Sequence, residues 1–185
     1  MPISLQATVT SLGAGDAVRL FTSGDNPVVR SNTSTFSATI VWEVFNAATG
    51  APIVADPNFL ITDIDGTNGS PIESASASCE GLTSFTVNDP TNISISESNG
   101  AILGEGTQNQ NGRQQEGFLQ YSWNNVSQWT VNYFTTTSGR WFVHDADGDI
   151  PFDADPTLVG IVDLAVIKSL VSTGCLLYTS PSPRD

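Results

Sequence analysis

Apolar residues in this chain recur at every second position, in short runs, and no stretch of useful length carries a helical period. In the clearest run, residues 36–45, Phe36, Ala38, Ile40, Trp42 and Val44 fall on one side. Ser37, Thr39, Val41, Glu43 and Phe45 fall on the other. Strand side chains alternate between two faces, so one apolar side at a period of two reads as a half-buried strand. Ile3, Leu5, Ala7 and Val9 repeat the pattern, and so do Trp129, Val131 and Tyr133. Gly, Asn, Asp and Pro punctuate the runs, at 13–16, 23–27 and 49–50, where they supply the backbone that turns require. Asn124-Asn125, between the runs 118–123 and 126–134, is expected to close a hairpin. About a dozen short strands with such turns specify an all-β fold, an antiparallel β-sandwich of jelly-roll or Ig-like type.

The chain has 185 residues, enough for one domain with a complete core. Charged residues make up only 14%, and they are lopsided: 19 acidic against 6 basic, for a net charge of −13. Phosphate recognition needs clustered Lys and Arg, so nucleic acid and anionic membrane are excluded as partners. No apolar run reaches the roughly 18 residues of a spanning helix, and residues 1–9 lack the basic start and apolar core of a signal peptide. A polar surface built from Ser, Thr and Asn fits a secreted or surface-exposed protein.

The acidity has one focus. The aromatic strands at 126–134 and 140–144 lead into a loop holding Asp145, Asp147, Asp149, Asp153 and Asp155. The first three have the alternate spacing that calcium loops use, and calcium wants six to eight oxygens. The match to an EF-hand is poor, because Gly148 falls at the fourth loop position and no Glu at the twelfth. Asp145, Asp147, Asp149 and Asp153 are therefore expected to line a calcium-binding rim of another kind. Asp63 and Asp65, on one face of a strand end, form with Glu73 a second, weaker metal candidate. Triad catalysis needs a base, and the chain's one His, His144, sits at a strand end where local hydrogen bonding accounts for it. No enzyme activity is expected. Among the four Trp, Trp42 and Trp129 fall on apolar strand faces and read as core. Trp123 and Trp141, at strand ends, are the candidates for stacking on a sugar.

Residues 161–174 read IVDLAVIKSLVSTG. With Asp163, Leu164, Val166 and Lys168, they resemble the opening strand of the Ig-like repeats found in tandem in large bacterial cell-surface proteins. ITDIDG at 61–66 and WFVHDADGD at 141–149 look like β-sandwich modules that precede such repeats. The last eleven residues, CLLYTSPSPRD, resemble a translated sequencing-library adapter, which implies a metagenomic gene fragment. Three segments are thus expected: a β-sandwich at 1–155, a linker and first strand of a truncated second repeat at 156–174, and a non-native tail at 175–185 that packs against nothing. Excluding the tail leaves Cys79 without a native intrachain partner. The resemblance implies a non-catalytic structural or adhesive module, extracellular and attached to the cell surface. Its partners would be neighbouring repeats and a cell-surface or glycan ligand. The competing expectation is a carbohydrate-binding module.

Overall fold

The computed structural model describes residues 2–23, 26–110, 114–145, 157–160 and 176–178. In chain order the strands are β1 (Ile3–Leu12), β2 (Val18–Ser23), β3 (Asn26–Ser31), β4 (Phe36–Asn46), β5 (Asn58–Thr62), β6 (Gly66–Thr67), β7 (Ser70–Pro71) and β8 (Glu73–Ser78). There follow β9 (Leu82–Val87), β10 (Ile93–Ser98), β11 (Ala101–Gly106), β12 (Leu119–Trp123), β13 (Gln128–Thr135), β14 (Trp141–Asp145), β15 (Thr157–Gly160) and β16 (Leu176–Tyr178). One sheet runs β1-β4-β13-β8-β11-β10 and the other β16-β15-β9-β12-β5-β14-β3-β2. Their pairings are antiparallel. The sheets pack face to face as an all-β sandwich, with a small β6-β7 ribbon at one end.

The alternation seen in the sequence becomes the core. β4 contributes Phe36, Ala38, Ile40, Trp42 and Val44, all buried, and β13 beside it contributes Trp129, Val131 and Tyr133. From the other sheet come Phe59, Ile61, Leu119, Tyr121, Phe85 and Phe142. Gly104 on β11 lets the sheets approach: a Cβ there would collide with the Leu119 side chain. Tyr121 reaches across the core, and its hydroxyl donates to Ala75 O at 2.9 Å and Ile102 O at 3.0 Å. Tyr121→Phe keeps the ring and removes the donor, leaving buried carbonyls short of a partner. It is expected to cost about 1–3 kcal/mol in urea unfolding, and a loss below a few tenths would mean that water replaces the hydroxyl.

One local expectation is corrected. Asn124-Asn125 does not close a hairpin: β12 lies in one sheet and β13 in the other, so this turn crosses the sandwich. Asn125 adopts φ 58, and its N–H donates to Asp56 Oδ1 at 2.7 Å. A turn dipeptide specifies a reversal but not which sheet receives the next strand. For the same reason the aromatic strands β13 and β14 belong to opposite sheets. Hairpin turns of the left-handed kind occur instead at Asn99-Gly100, between β10 and β11, and at Asn68-Gly69, between β6 and β7.

At its far edge the larger sheet continues through β15, which pairs with β9, and β16, which pairs with β15. Val159 on β15 joins the core. The expectation that residues beyond 174 pack against nothing is therefore corrected for Leu176–Tyr178. An exposed strand edge offers unpaired backbone groups to any extended segment. Residues 161–175, on which the second-repeat reading falls, lie outside the described residues. Cys79 is disulfide-bonded, and the sequence's other cysteine, Cys175, belongs to the segment expected to be a non-native tail and lies outside the described residues.

Candidate functional site

Of the first calcium candidates, Asp147, Asp149 and Asp153 lie outside the described residues, and Asp145 is placed by its backbone alone, at the end of β14. The second group, Asp63, Asp65 and Glu73, is well described. Strand β5 stops at Thr62, and Asp63 turns into the left-handed region at φ 63. That break ends the alternation expected to put Asp63 and Asp65 on one strand face. It swings Asp65 inward to 2% exposure, beside Glu73 at 1%. Facing glycines make room: a Cβ on Gly66 would strike the Gly106 carbonyl, and one on Gly106 would strike Asp65.

Asp65 is the hub of this end of the sandwich. Its Oδ1 accepts from Gln110 N at 2.6 Å, and its Oδ2 pairs with Arg140 Nη1 at 2.6 Å. Its own N–H donates to Glu73 Oε2 at 2.9 Å, and its carbonyl accepts from Ile72 N and Glu73 N. Arg140 is held in turn by Thr137 Oγ1, which accepts from Nε at 2.9 Å. Burial pushes the Glu73 carboxyl up to about 8, with the Asp65 charge also raising it while the Asp65 N–H and Arg140 oppose. Burial and then the Asp65 charge push Asp63 up to about 6, against Arg140. Asp65 is thus met by Arg140 and the Gln110 N–H, and Glu73 by the Asp65 N–H. Among the described residues no group of three acidic, His or Cys side chains gathers to hold a metal.

His144 lies on β14 at 1% exposure, inside an aromatic cage. Phe59 stands 4.6 Å away, Trp42 5.1 Å and Tyr133 5.6 Å, centroid to centroid. Nδ1 lies 3.0 Å from Pro27 O, and Nε2 2.8 Å from the Tyr133 hydroxyl. A carbonyl only accepts, so Nδ1 carries the proton and the neutral Nε2 accepts from Tyr133. Burial lowers the imidazole to about 4, against the Pro27 bond that raises it. Local hydrogen bonding was expected for this His; burial in the core was not, because a strand-end position leaves it undecided.

The two sugar-stacking candidates separate. Trp123 is buried at 3%, packed between Tyr121 and Trp129, so the expectation of its exposure is corrected. The opposite sheet covers this strand end. Trp141 stays 39% exposed at the start of β14. It meets Phe21 edge to face at 5.3 Å, and the Arg30 guanidinium lies 5.2 Å from its ring centre. Arg19 stands 5.2 Å from the Phe21 ring centre. Arg19, Phe21 and Arg30 were not singled out in the sequence; the one signal is that Arg19 and Phe21 share strand parity. Along the nearby open edge of the sandwich, between β1 and β2, lie two adjoining clefts of about 430 and 390 Å³. They are lined in part by Leu5, Pro27, Phe21, Trp42, Phe59 and Trp129.

The fold defines the class: an all-β protein of two packed antiparallel sheets. Compared with known proteins, the chain matches no family model, no curated protein and no solved structure.

Proposed function

We propose that this chain is a non-catalytic module of a large extracellular, cell-surface-attached protein, serving as a structural spacer or adhesive unit beside further repeats. The observation that carries this reading is the use made of His144. A general base must reach the proton it takes, and this ring is spent on Tyr133 and Pro27 inside the core. The test is incubation with chromogenic ester, phosphate and glycoside substrates, beside a His144→Asn variant. No turnover is expected. Turnover lost in the variant while its circular dichroism spectrum is unchanged would overturn the reading.

Calcium is proposed as a stabiliser of the acidic loop after β14. Five Asp between 145 and 155 repel one another, and the cation nearest in sequence, Arg140, is committed to Asp65. An ion bound by the folded state alone stabilises it by about 2.7 kcal/mol at one hundred times its dissociation constant. Calcium is therefore expected to raise the melting temperature, and Asp147→Ala or Asp149→Ala to abolish the gain. Sodium at matched ionic strength is the control for screening; an equal response to both salts would sink the proposal.

A glycan-binding role is the second reading. Trp141 favours it, standing 39% exposed on the outer face of the larger sheet, with Trp123 taking no part.

A further inference from the structure

Among the described residues the basic side chains are Arg19, Arg30 and Arg140. Arg140 is paired with Asp65. The other two stand directly opposite each other across β2 and β3, and Arg30 stands opposite Trp141 across β3 and β14. Phe21 sits two residues along β2 from Arg19, on the same face. Like charges directly opposite on a sheet are destabilising, and this pair has no carboxylate within salt-bridge distance among the described residues. In a chain of net charge −13, two unpaired arginines side by side need an account.

The rings offset part of the cost. Arg19 stands 5.2 Å from Phe21, Phe21 5.3 Å from Trp141 and Arg30 5.2 Å from Trp141, so two rings in contact carry a cation at each end. A ring attracts the charge but does not accept the guanidinium's directional hydrogen bonds. The Arg30 Nε is buried with no hydrogen-bond partner, and on this half-buried residue the outer Nη edge is the part of the guanidinium a ligand can meet. That planar pair of donors matches a carboxylate, which it takes in bidentate fashion. Beside it, Trp141 offers exposed aromatic surface suited to the C–H face of a pyranose ring.

Charge and size narrow the ligand. The protein's negative field opposes a polyanion, whereas a single carboxylate at the arginines is screened from charges beyond about 8 Å at physiological ionic strength. The row is three contacts long, each between 5.2 and 5.3 Å, the scale of one or two sugar rings. A stable protein interface needs roughly 800 Å² per partner. We propose that Arg19, Phe21, Arg30 and Trp141 form a binding site for a carboxylated pyranose, a sialic acid or hexuronic acid residue of a glycan. The carboxylate meets the guanidinium pair and the ring lies on Trp141. The proposal rests on the glycan-binding reading above.

The test is isothermal titration of the intact chain with the methyl glycosides of N-acetylneuraminic acid, galacturonic acid and, as the neutral probe, galactose. At least one acid is expected to bind saturably, about tenfold or more tighter than methyl galactoside, as loss of a charge-assisted pair implies. Which acid binds tells the two sources apart. Trp141→Ala and Arg30→Gln should each weaken binding by about tenfold or more, and Arg30→Lys, which keeps the charge without the fork, by less. Phe134→Ala, at an exposed aromatic of the other sheet, should bind like the parent. Thermal melts establish that each variant is folded. Binding of neither acid overturns the site. Equal, Trp141-dependent binding of acid and neutral sugar overturns the carboxylate assignment and leaves the glycan reading standing. Sugar binding that ignores Trp141→Ala overturns this site while placing glycan recognition elsewhere.

Discussion

Alanine at Arg140 is expected to cost about 3 kcal/mol of folding stability, the low end for removing one partner from a buried ion pair, because the Arg140 side chain keeps 29% exposure. Asp65 is 2% exposed, and the 2.6 Å contact from Arg140 Nη1 answers one of its oxygens. Without the guanidinium the carboxylate keeps the Gln110 N–H, but its charge stays buried without a counter-charge. Arg140 also lowers the Glu73 and Asp63 carboxyls, so its removal raises the cost of ionising both. Arg140→Lys should recover part of the loss, because a point charge replaces a fork that also engages Thr137. Asp65→Asn in the Arg140→Ala background should restore most of it by removing the orphaned charge. Urea unfolding with an unchanged m-value measures each variant. A loss under about 1 kcal/mol for Arg140→Ala, the range of exposed pairs, would mean that water enters this end of the sandwich.

Stability is expected to decline as pH rises from neutrality toward 8, with Glu73 responsible. Its carboxyl goes from 4.5 in the unfolded chain to about 8 in the fold. Below 4.5 both states hold the proton and the contribution is complete. Above that the unfolded chain releases it while the fold keeps it, so stability is lost until the folded group also ionises near 8. The loss is on the order of a few kcal/mol. Asp63 acts in the same direction between 3.8 and about 6. His144 acts oppositely: lowered from 6.5 to about 4, it contributes fully above 6.5 and less as pH falls toward 4. Its gain with rising pH offsets the Glu73 loss up to 6.5, so the decline assigned to Glu73 stands alone between 6.5 and 8. Glu73→Gln, whose carbonyl can still accept from Asp65 N, should match the parent near pH 4.5 and exceed it at pH 8.5. A parent curve that stays flat from 6.5 to 8.5 would place Glu73 in contact with solvent.

The core strands were legible because burial of one strand face is a local pattern. Phe36 to Val44 and Trp129 to Tyr133 alternate in the sequence and remain the inward faces of β4 and β13. Asp63, Asp65 and Glu73 were named together as a weaker metal candidate. The side chain that pairs with Asp65 in the fold, Arg140, is 75 residues away in the chain, and no local pattern points to it. Trp123 and Trp141 looked alike as strand-end indoles; the opposite sheet covers one and leaves the other open.

Turn positions and the class of fold follow from the sequence alone, because they depend on neighbours one to four residues away. Sheet membership and the partners of buried charges were decided by tertiary structure. A period of two states which face of a strand is apolar, but not which sheet the strand enters. Arg19, Arg30 and Trp141 illustrate this: they are separated in sequence, yet pairing of β2, β3 and β14 sets them in one row. Hydrogen-bond register between distant strands made that juxtaposition, and register arises only when the whole sandwich closes on its core.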